Sequence, residues 1–261
     1  MLKSSKPLIS IITVVFNGEH LIEKTIQSVL NQKFNNFEYI VIDGASTDST
    51  KKIIYNYEAR INKIISEPDL GIYDAMNKGI KLANGCFIFF LNSGDIIFNE
   101  TFYEIFLNKE NLQYDVIYGD IIRSTVNQLI VSKDISFINY GMPFCHQAVL
   151  VKAELCKTYL FNTQYKIAAD YNFFLSLFLL KFKFQRINVA FGEIDTSGIS
   201  NTAYFTTTKE YLNIIRRNYN GIKSVKKIYK YIAHNKKSLL FKFVINLMGI
   251  KIYSKLKGII N

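Results

Sequence analysis

The sequence predicts an α/β protein with a mostly parallel central sheet and helices on both faces. Apolar, strand-like runs alternate with amphipathic helical patterns over residues 8–91, which is the order expected of β-α-β units. The composition agrees, because 49% of the 261 residues are hydrophobic and 20% are charged. That profile is typical of globular proteins and excludes disordered and collagen-like classes. A chain of this length can bury a large core without crosslinks or structural metal.

The predicted elements follow one another along the chain. In the first half the strands cover 8–15, 39–42, 61–65 and 87–91, and the helices lie near 19–31, 49–57 and 73–83. The second half predicts a helix near 101–108, a strand from 115 through 122, a mixed stretch to 151, a helix near 171–180 and a strand over 184–189. The run 87–91 is apolar throughout, as a strand buried on both faces of a parallel sheet is expected to be.

Cysteine and histidine usage argues against a disulfide-stabilised protein and against a structural zinc site. The three cysteines, Cys86, Cys145 and Cys156, are odd in number and unpatterned, which indicates reduced thiols in a cytoplasmic protein. Three scattered histidines without a Cys-x-x-Cys pair do not predict structural zinc. The N-terminal residues show no cleavage site of a secretory signal, and no apolar run reaches the roughly 20 residues that cross a bilayer. We therefore expect a cytoplasmic protein with no membrane-spanning segment.

The net charge of +11 belongs to the C-terminal tail, defined here as residues 205–261. The stretch 209–261 holds 13 of the 32 Lys and Arg but only one of the 21 acids, Glu210. Apolar residues three and four apart, with bases between them, predict amphipathic helices. Such helices suit the surface of an anionic bilayer, where each base near the headgroups contributes on the order of 1 kcal/mol. The alternative is that they pack on the preceding domain with a solvated basic face.

Polar loops follow each of the first four strands, and ligands of open α/β sheets bind at those strand ends. No Gly-x-Gly-x-x-Gly and no phosphate-binding P-loop follows the first strand, so neither classical nucleotide fingerprint is present. Asp43 ends the second strand and suits a hydrogen bond to a base or ribose hydroxyl, or else a turn. Asp95 follows the fourth strand and suits Mg²⁺ or Mn²⁺, or else a turn.

Four segments of the chain carry motifs, at residues 11–17, 41–50, 66–79 and 91–95. They resemble motifs of the family 2 glycosyltransferases with the GT-A fold, and they occur in the order that this family has. The subgroup resembled is that of bacterial exopolysaccharide and lipopolysaccharide synthesis, of the colanic acid type. The resemblance covers about residues 7–200. It implies a Rossmann-like GT-A domain over 1–204, with a donor part at about 1–98 and an acceptor part at about 99–204. The basic helical tail over 205–261 then forms an appendage.

The resemblance also implies an activity. It is the inverting transfer of a sugar from a nucleotide-diphospho-sugar to a hydroxyl, with a lipid-linked oligosaccharide at the inner face of the cytoplasmic membrane as the expected acceptor. One carboxylate must take the proton of that hydroxyl while a metal or basic groups stabilise the leaving diphosphate. The expected cofactor is Mn²⁺ or Mg²⁺, and the expected partners are the donor, the glycan acceptor and an anionic membrane surface. Nucleic acid is not expected, since no binding motif accompanies the charge.

Residue roles follow from the same resemblance. Asp170 matches the catalytic base, with Ala169 where the family usually has Glu, although Asp170 also suits a helix N-cap. Asp95 matches the metal acid of an Asp-x-Asp motif, with Asn92 and Gly94 where many members have acids. His146 and Gln147 fall near the acceptor or the diphosphate. The residues expected to line the donor are Phe16, Asn17, Glu19, Asp43, Asp69, Asn77, Lys78, Asn92 and Ser93. The loop 195–201 is expected to close over the donor or to serve as a connector.

Two other functions stay open from the sequence. A polyprenyl-phosphate sugar synthase would use a phosphate acceptor, which needs no general base. A non-catalytic, membrane-associated scaffold would explain the missing acids at Asn92, Gly94 and Ala169.

Overall fold

A computed structural model describes residues 6–195, 204–219 and 227–228 of the chain, which form an α/β fold around one sheet. The strands are β1 (Ile9–Val15), β2 (Phe37–Asp43), β3 (Lys63–Ser66), β4 (Phe87–Phe90), β5 (Ile96–Ile97), β6 (Val116–Arg123), β7 (Gln128–Ile130), β8 (Val149–Lys152) and β9 (Phe184–Ile194). The helices are α1 (Ile22–Leu30), α2 (Thr50–Tyr55), α3 (Ile72–Leu82), α4 (Thr101–Leu107), α5 (Ala153–Tyr159), α6 (Ala169–Leu179) and α7 (Tyr204–Asn218).

The first half of the sheet is parallel in the order β3-β2-β1-β4. Every residue of β1 is buried, because helices cover both faces of the sheet. On one face α3 buries Met76 and Ile80, and on the other α1 buries Ile22 and Ile26. The predicted strands and helices of this half are confirmed to within three residues.

The second half continues the sheet as β4-β8-β6-β9-β5, with β7 beside β6. β8 runs antiparallel to both of its neighbours, whereas β6 and β9 are parallel. The predicted fold class is confirmed, and the antiparallel pairs are confined to this half. The mixed stretch that ends at residue 151 contains β7, most of β8 and three short 3₁₀ turns, at Ser124–Val126, Ile135–Asn139 and His146–Ala148. The sequence analysis did not predict α5, and it ended the last strand at residue 189, five residues before the end of β9.

The first helix of the tail packs on α6. Ile214 and Ile215 of α7 are fully buried, and the ring of Tyr211 stacks on that of Tyr171 with centroids 4.1 Å apart. The neighbouring bases Arg216 and Arg217 stay exposed, as the amphipathic pattern predicts. This part of the tail therefore shares the core of the domain. The predicted loop around Gly198 and Ser200 and the tail pattern beyond residue 228 lie outside the described residues. Within the described segments, no helix has the length and apolarity needed to cross a bilayer.

Candidate active site

The loops that follow β1 and β2 are tied to each other by hydrogen bonds. The backbone amide of Asn17 donates to Ser46 Oγ at 2.8 Å, and that of Thr47 donates to Asn17 Oδ1 at 2.9 Å. The backbone amide of Ser49 donates to Glu19 Oε2 at 2.8 Å. Asn17 has a φ of 48°, a left-handed conformation that Asn tolerates better than most residues. Asn17 and Glu19 thus shape the rim of the predicted donor site through contacts within the protein.

Phe16 presents a free surface at the same rim. Its side chain is 63% exposed although it follows a fully buried strand. It lies beside Gly44, where an added Cβ would stand 3.5 Å from Phe16 Cβ and only 2.4 Å from Asp69 Oδ2. Gly44 therefore allows the loops carrying Phe16 and Asp69 to approach each other.

Asp43 organises the loops that follow β2 and β3. It is fully buried, and it accepts hydrogen bonds from the hydroxyl and the backbone amide of Ser46 and from Ser66 Oγ, the last at 2.7 Å. This is the turn role that the sequence left open. A contact between Asp43 and a nucleoside stays a prediction, and it requires one of these serine hydroxyls to give way.

The loop before α3 is fastened by Lys78 and Asp69. Lys78 Nζ pairs with Glu67 Oε1 at 3.0 Å and donates to the carbonyl of Pro68 at 2.6 Å. Asp69 Oδ1 accepts from the amide of Gly71 at 2.8 Å. For both Lys78 and Asp69, contact with a donor stays a prediction.

Asn77 is bound within the protein, and its contact with a donor stays a prediction. Its side chain is buried, its Nδ2 donates to the carbonyl of Phe161 at 2.8 Å, and its Oδ1 accepts from the amide of Phe161 at 2.9 Å. Both ends of the side-chain amide are thus hydrogen-bonded to the backbone of one residue, Phe161, which lies 84 residues away in the sequence. Asn77 therefore joins α3 to the segment that leads to α6.

Asp95 is a buried carboxylate held from two sides. It is 3% exposed, its Oδ2 accepts from Gln147 Nε2 at 3.0 Å, and its Oδ1 accepts from the amide of Asp195 at 3.0 Å. Burial raises the pKa of Asp95 to about 7 because the charged form loses hydration, and the charge of Asp195 acts in the same direction. The two hydrogen bonds oppose this rise without cancelling it.

Asp170 stands in the first turn of α6 and faces His146. His146 Nδ1 lies 3.5 Å from Asp170 Oδ2, and His146 Nε2 lies 3.2 Å from Asn92 Nδ2. An amide nitrogen can only donate, so His146 Nε2 accepts and Nδ1 carries the proton that points to Asp170. Burial raises the pKa of Asp170 and lowers that of His146, while the attraction between the two groups opposes both changes.

One short turn joins the two carboxylates. The 3₁₀ turn His146–Ala148 places His146 against Asp170 and the next residue, Gln147, against Asp95. The predicted metal acid, the predicted base and the His-Gln pair therefore form one connected cluster. Asn92 belongs to it as well, through its bond to His146.

Three residues of this neighbourhood were not predicted. Tyr73 OH lies 3.2 Å from Asp170 Oδ1, Asp195 contacts Asp95 through its backbone, and Glu210 binds the segment before α6. Tyr73 lies inside the motif 66–79, which could have drawn attention to it. The single acid of the basic tail was a signal for Glu210, and Asp195 begins the loop 195–201 that the sequence predicts beside the donor.

The residues near Asp95 fit a divalent cation of the hard, oxygen-binding kind. Asn92 Oδ1 and Ser93 Oγ are buried atoms without a hydrogen-bond partner in the described structure. Such orphaned oxygens, beside a carboxylate, are ligands that Mg²⁺ and Mn²⁺ accept. The described segments contain no group of three or more His, Cys, Asp or Glu side chains that could hold a metal ion. Asp95 would thus need neutral oxygens and a ligand diphosphate to complete the shell.

Known proteins resemble this chain in sequence. The family model described as glycosyl transferase family 2 matches residues 10–182. The chain is 30% identical over 217 residues to a PGL/p-HBAD biosynthesis glycosyltransferase of Mycobacterium bovis (strain BCG / Pasteur 1173P2), covering 79% of this chain and 83% of that protein. It is 40% identical over 93 residues to the putative teichuronic acid biosynthesis glycosyltransferase TuaG of Bacillus subtilis (strain 168), covering 34% of this chain and 37% of that one.

Solved structures share the fold. The crystal structure of S. aureus TarS 1-349 in complex with UDP matches with a TM-score of 0.69 at 19% identity, covering 88% of this chain and 72% of that one. The mannosyltransferase PcManGT from Pyrobaculum calidifontis, in complex with GDP-Man and Mn²⁺, matches with a TM-score of 0.64 at 13% identity, covering 97% and 83%.

Proposed function

The chain belongs to glycosyl transferase family 2, and on that premise we propose that it is an inverting enzyme that moves a sugar from a nucleotide-diphospho-sugar to a hydroxyl of a glycan acceptor. The observation that carries the proposal is the cluster in which the turn His146–Ala148 links Asp95 to Asp170. The teichuronic acid assignment of one relative supports a role in bacterial surface-polysaccharide synthesis. The nucleotide and nucleotide sugar held by the structural neighbours support the class of donor.

Asp170 is the proposed general base. Its raised pKa makes it a stronger proton acceptor than an exposed carboxylate, and its contact with His146 favours the ionised form. The acceptor oxygen forms a bond to the anomeric carbon as the bond from that carbon to the diphosphate breaks on the opposite face. The acceptor's proton passes to Asp170. The Nδ1 proton of His146 stays directed at the carboxylate and fixes its orientation.

Asp95 and Asn92 Oδ1 are the proposed protein ligands of Mn²⁺ or Mg²⁺. A divalent ion supplies positive charge that stabilises the leaving diphosphate. Gln147 holds Asp95 from the side of the His146–Ala148 turn, and the backbone of Asp195 holds its other oxygen. The Mn²⁺ found with a structural neighbour supports this choice of ion.

The contacts of Asp170 favour a hydroxyl acceptor over a phosphate. They are His146, the hydroxyl of Tyr73 and the backbone amide of Tyr171. A phosphate acceptor would bring its own negative charge against a buried carboxylate, which costs free energy in a medium of low dielectric. A polyprenyl-phosphate synthase therefore fits this cluster less well than an enzyme that deprotonates a sugar hydroxyl.

The test uses a panel of UDP-, GDP- and dTDP-sugars with Mn²⁺, and it measures nucleoside diphosphate release and sugar transfer. We expect Asp170→Asn to lower transfer by about 10²–10⁴-fold, which is the usual contribution of a positioned base. Nucleoside diphosphate affinity, measured by calorimetry, should stay unchanged. Glu58→Gln, which removes an exposed carboxylate, is the matched control. Full activity of Asp170→Asn would favour the phosphate-acceptor alternative, and absence of both release and binding across the panel would favour the scaffold.

We also propose that the tail brings the enzyme to the anionic inner face of the cytoplasmic membrane, where a lipid-linked acceptor would lie. The support is its charge, because residues 229–261 carry seven Lys and no acid. Truncation after residue 228 preserves the contacts of α7 and removes those seven charges. The truncated protein should release nucleoside diphosphate normally but fail to sediment with vesicles that contain 30 mol% phosphatidylglycerol. Vesicles of phosphatidylcholine alone are the control, and unchanged sedimentation after truncation would refute the membrane role.

A further inference from the structure

Glu210, the single acid among the 13 bases of residues 209–261, is bound to the backbone that precedes the proposed base. Its Oε1 accepts from the amide of Lys166 at 2.9 Å, and its Oε2 accepts from the amides of Ile167 and Ala168 at 3.0 and 2.9 Å. Hydrogen bonds to a carboxylate are shorter and stronger than neutral ones. Three of them on consecutive amides fix the path of the chain at this point.

This segment leads directly into α6. Ala168 is the N-cap residue of that helix, and no side-chain hydrogen bond is made by its own cap position. Glu210 therefore supplies from α7 an acceptor that the local sequence lacks, close to the positive end of the helix dipole. Asp170 lies in the next turn, two residues after Ala168.

The opposite side of the segment is held by α3. Tyr73 OH donates to the carbonyl of Ile167 at 2.6 Å and lies 3.2 Å from Asp170 Oδ1. Ile167 is thus hydrogen-bonded at its amide by Glu210 and at its carbonyl by Tyr73. Because these two hydrogen bonds come from the tail and from the first half of the chain, contacts within α6 cannot replace either of them.

The helix that carries Glu210, α7, is packed against the domain. Ile214 and Ile215 are fully buried, Tyr211 stacks on Tyr171, and Arg217 Nη1 donates to Tyr165 OH at 3.3 Å. The position of the carboxylate is thus fixed by packing rather than by its hydrogen bonds alone.

We propose that Glu210 is a positioning residue of the active site, which aims Asp170 by fixing the backbone of residues 166–168. This inference rests on the proposed function, since it takes Asp170 to be the base. The start of the tail is then part of the active site. A shift of α7 against α6 would change the position of Asp170 through the single carboxylate of Glu210.

The test compares Glu210→Ala, Glu210→Asp and Glu210→Gln, with Lys209→Ala as the control at an exposed position of the same helix. Glu210→Asp keeps the charge but is too short to span three amides, whereas Glu210→Gln keeps the length and one acceptor oxygen, which can still bind the amides of Ile167 and Ala168 but leaves that of Lys166 without an acceptor. We expect kcat to fall about 10–100-fold in the first two variants, the loss typical of a displaced catalytic group. The donor KM and the calorimetric affinity for UDP and GDP should stay within about twofold, and Glu210→Gln, which keeps two of the three bonds, should give a kcat between those of wild type and Glu210→Ala.

A second measurement needs no substrate. The chain has only three histidines, so the ring signals of His146 can be resolved by NMR. In Glu210→Ala and Glu210→Asp the His146 signal should move toward its position in Asp170→Asn, and in Lys209→Ala it should stay. A fixed His146 signal and an unchanged kcat, even with a lowered melting temperature, would reduce Glu210 to a stabilising residue and overturn the inference.

The outcomes separate this inference from the function on which it rests. Loss of transfer in Asp170→Asn with full kcat in Glu210→Asp would refute the positioning role and leave the base in place. Full transfer in Asp170→Asn would refute the base, whatever the Glu210 variants do. If Glu210→Ala fails to fold, Glu210→Asp and Glu210→Gln still give the comparison.

Discussion

Replacing Asp95 by Asn is expected to stabilise the metal-free protein at alkaline pH. Burial raises the pKa of Asp95 from its ordinary value of 3.8 to about 7. The folded protein therefore holds a proton that the unfolded chain releases at lower pH. The stability from this group is complete below pH 3.8 and is lost as the pH rises through 7. Since one pKa unit corresponds to about 1.4 kcal/mol, the full loss is on the order of 4 kcal/mol, and about 2–3 kcal/mol of it falls between pH 5 and 8.

The assay is urea unfolding of both proteins in EDTA at pH 5 and pH 8. Wild type should lose about 2–3 kcal/mol more free energy of unfolding over this range than Asp95→Asn, since the amide does not titrate. Comparing the change in the free energy of unfolding between the two pH values cancels any pH-independent cost of packing the amide of Asp95→Asn against Gln147. Glu58→Gln should follow wild type. A gap between wild type and Asp95→Asn that is the same at both pH values would refute the assignment of Asp95 as a desolvated carboxylate.

Two further predictions follow from other contacts of the site. Asn77→Ala should lower the free energy of unfolding by about 2–4 kcal/mol, because it leaves the buried amide and carbonyl of Phe161 without their partner. It should leave the affinity for UDP unchanged. Urea titration and calorimetry check the two values, and a weakened affinity with normal stability would show that Asn77 acts at the donor site instead. His146→Gln should shift the acid limb of the transfer rate to higher pH, because the Nδ1 proton that His146 directs at Asp170 favours the ionised carboxylate and lowers its pKa. A pH profile of kcat that does not move would show that the two groups are not coupled.

The parallel half of the fold could be predicted because its signals are local. Each strand from β1 to β4 is an apolar run, and α1 and α3 repeat apolar residues at helical spacing. The second half gives weaker signals. β5 has two residues, β7 three and β8 four, and α5 spans seven. Such short elements owe their conformation to partners distant in the chain, as β8 does between β4 and β6, so no window of the sequence contains the cause.

The same limit applies to the site. Asp95 was predicted from its place after an apolar strand, and Asp170 from the family resemblance, which implies a base at the head of an apolar helix. The contacts of their neighbours could not be predicted. The motif that predicted Asn77 at the donor could not show that its side-chain amide hydrogen-bonds the backbone of Phe161. Nor could it show that Glu210 reaches back to residues 166–168. Side chains whose partners are backbone atoms leave no complementary residue type in the sequence.

Each departure from the family motif is accommodated by the structure. Asn92 binds His146, Gly94 adopts a φ of 99° that favours glycine, and Ala169 is fully buried where a Glu would need a partner. The two acids that remain, Asp95 and Asp170, are both buried with raised pKa values, which lowers the stability of the folded protein near neutral pH. A protein that needed only the fold would be more stable without them. Two buried acids bound to the two ends of one short turn are what the proposed site, with a carboxylate on each side of the reacting sugar, requires.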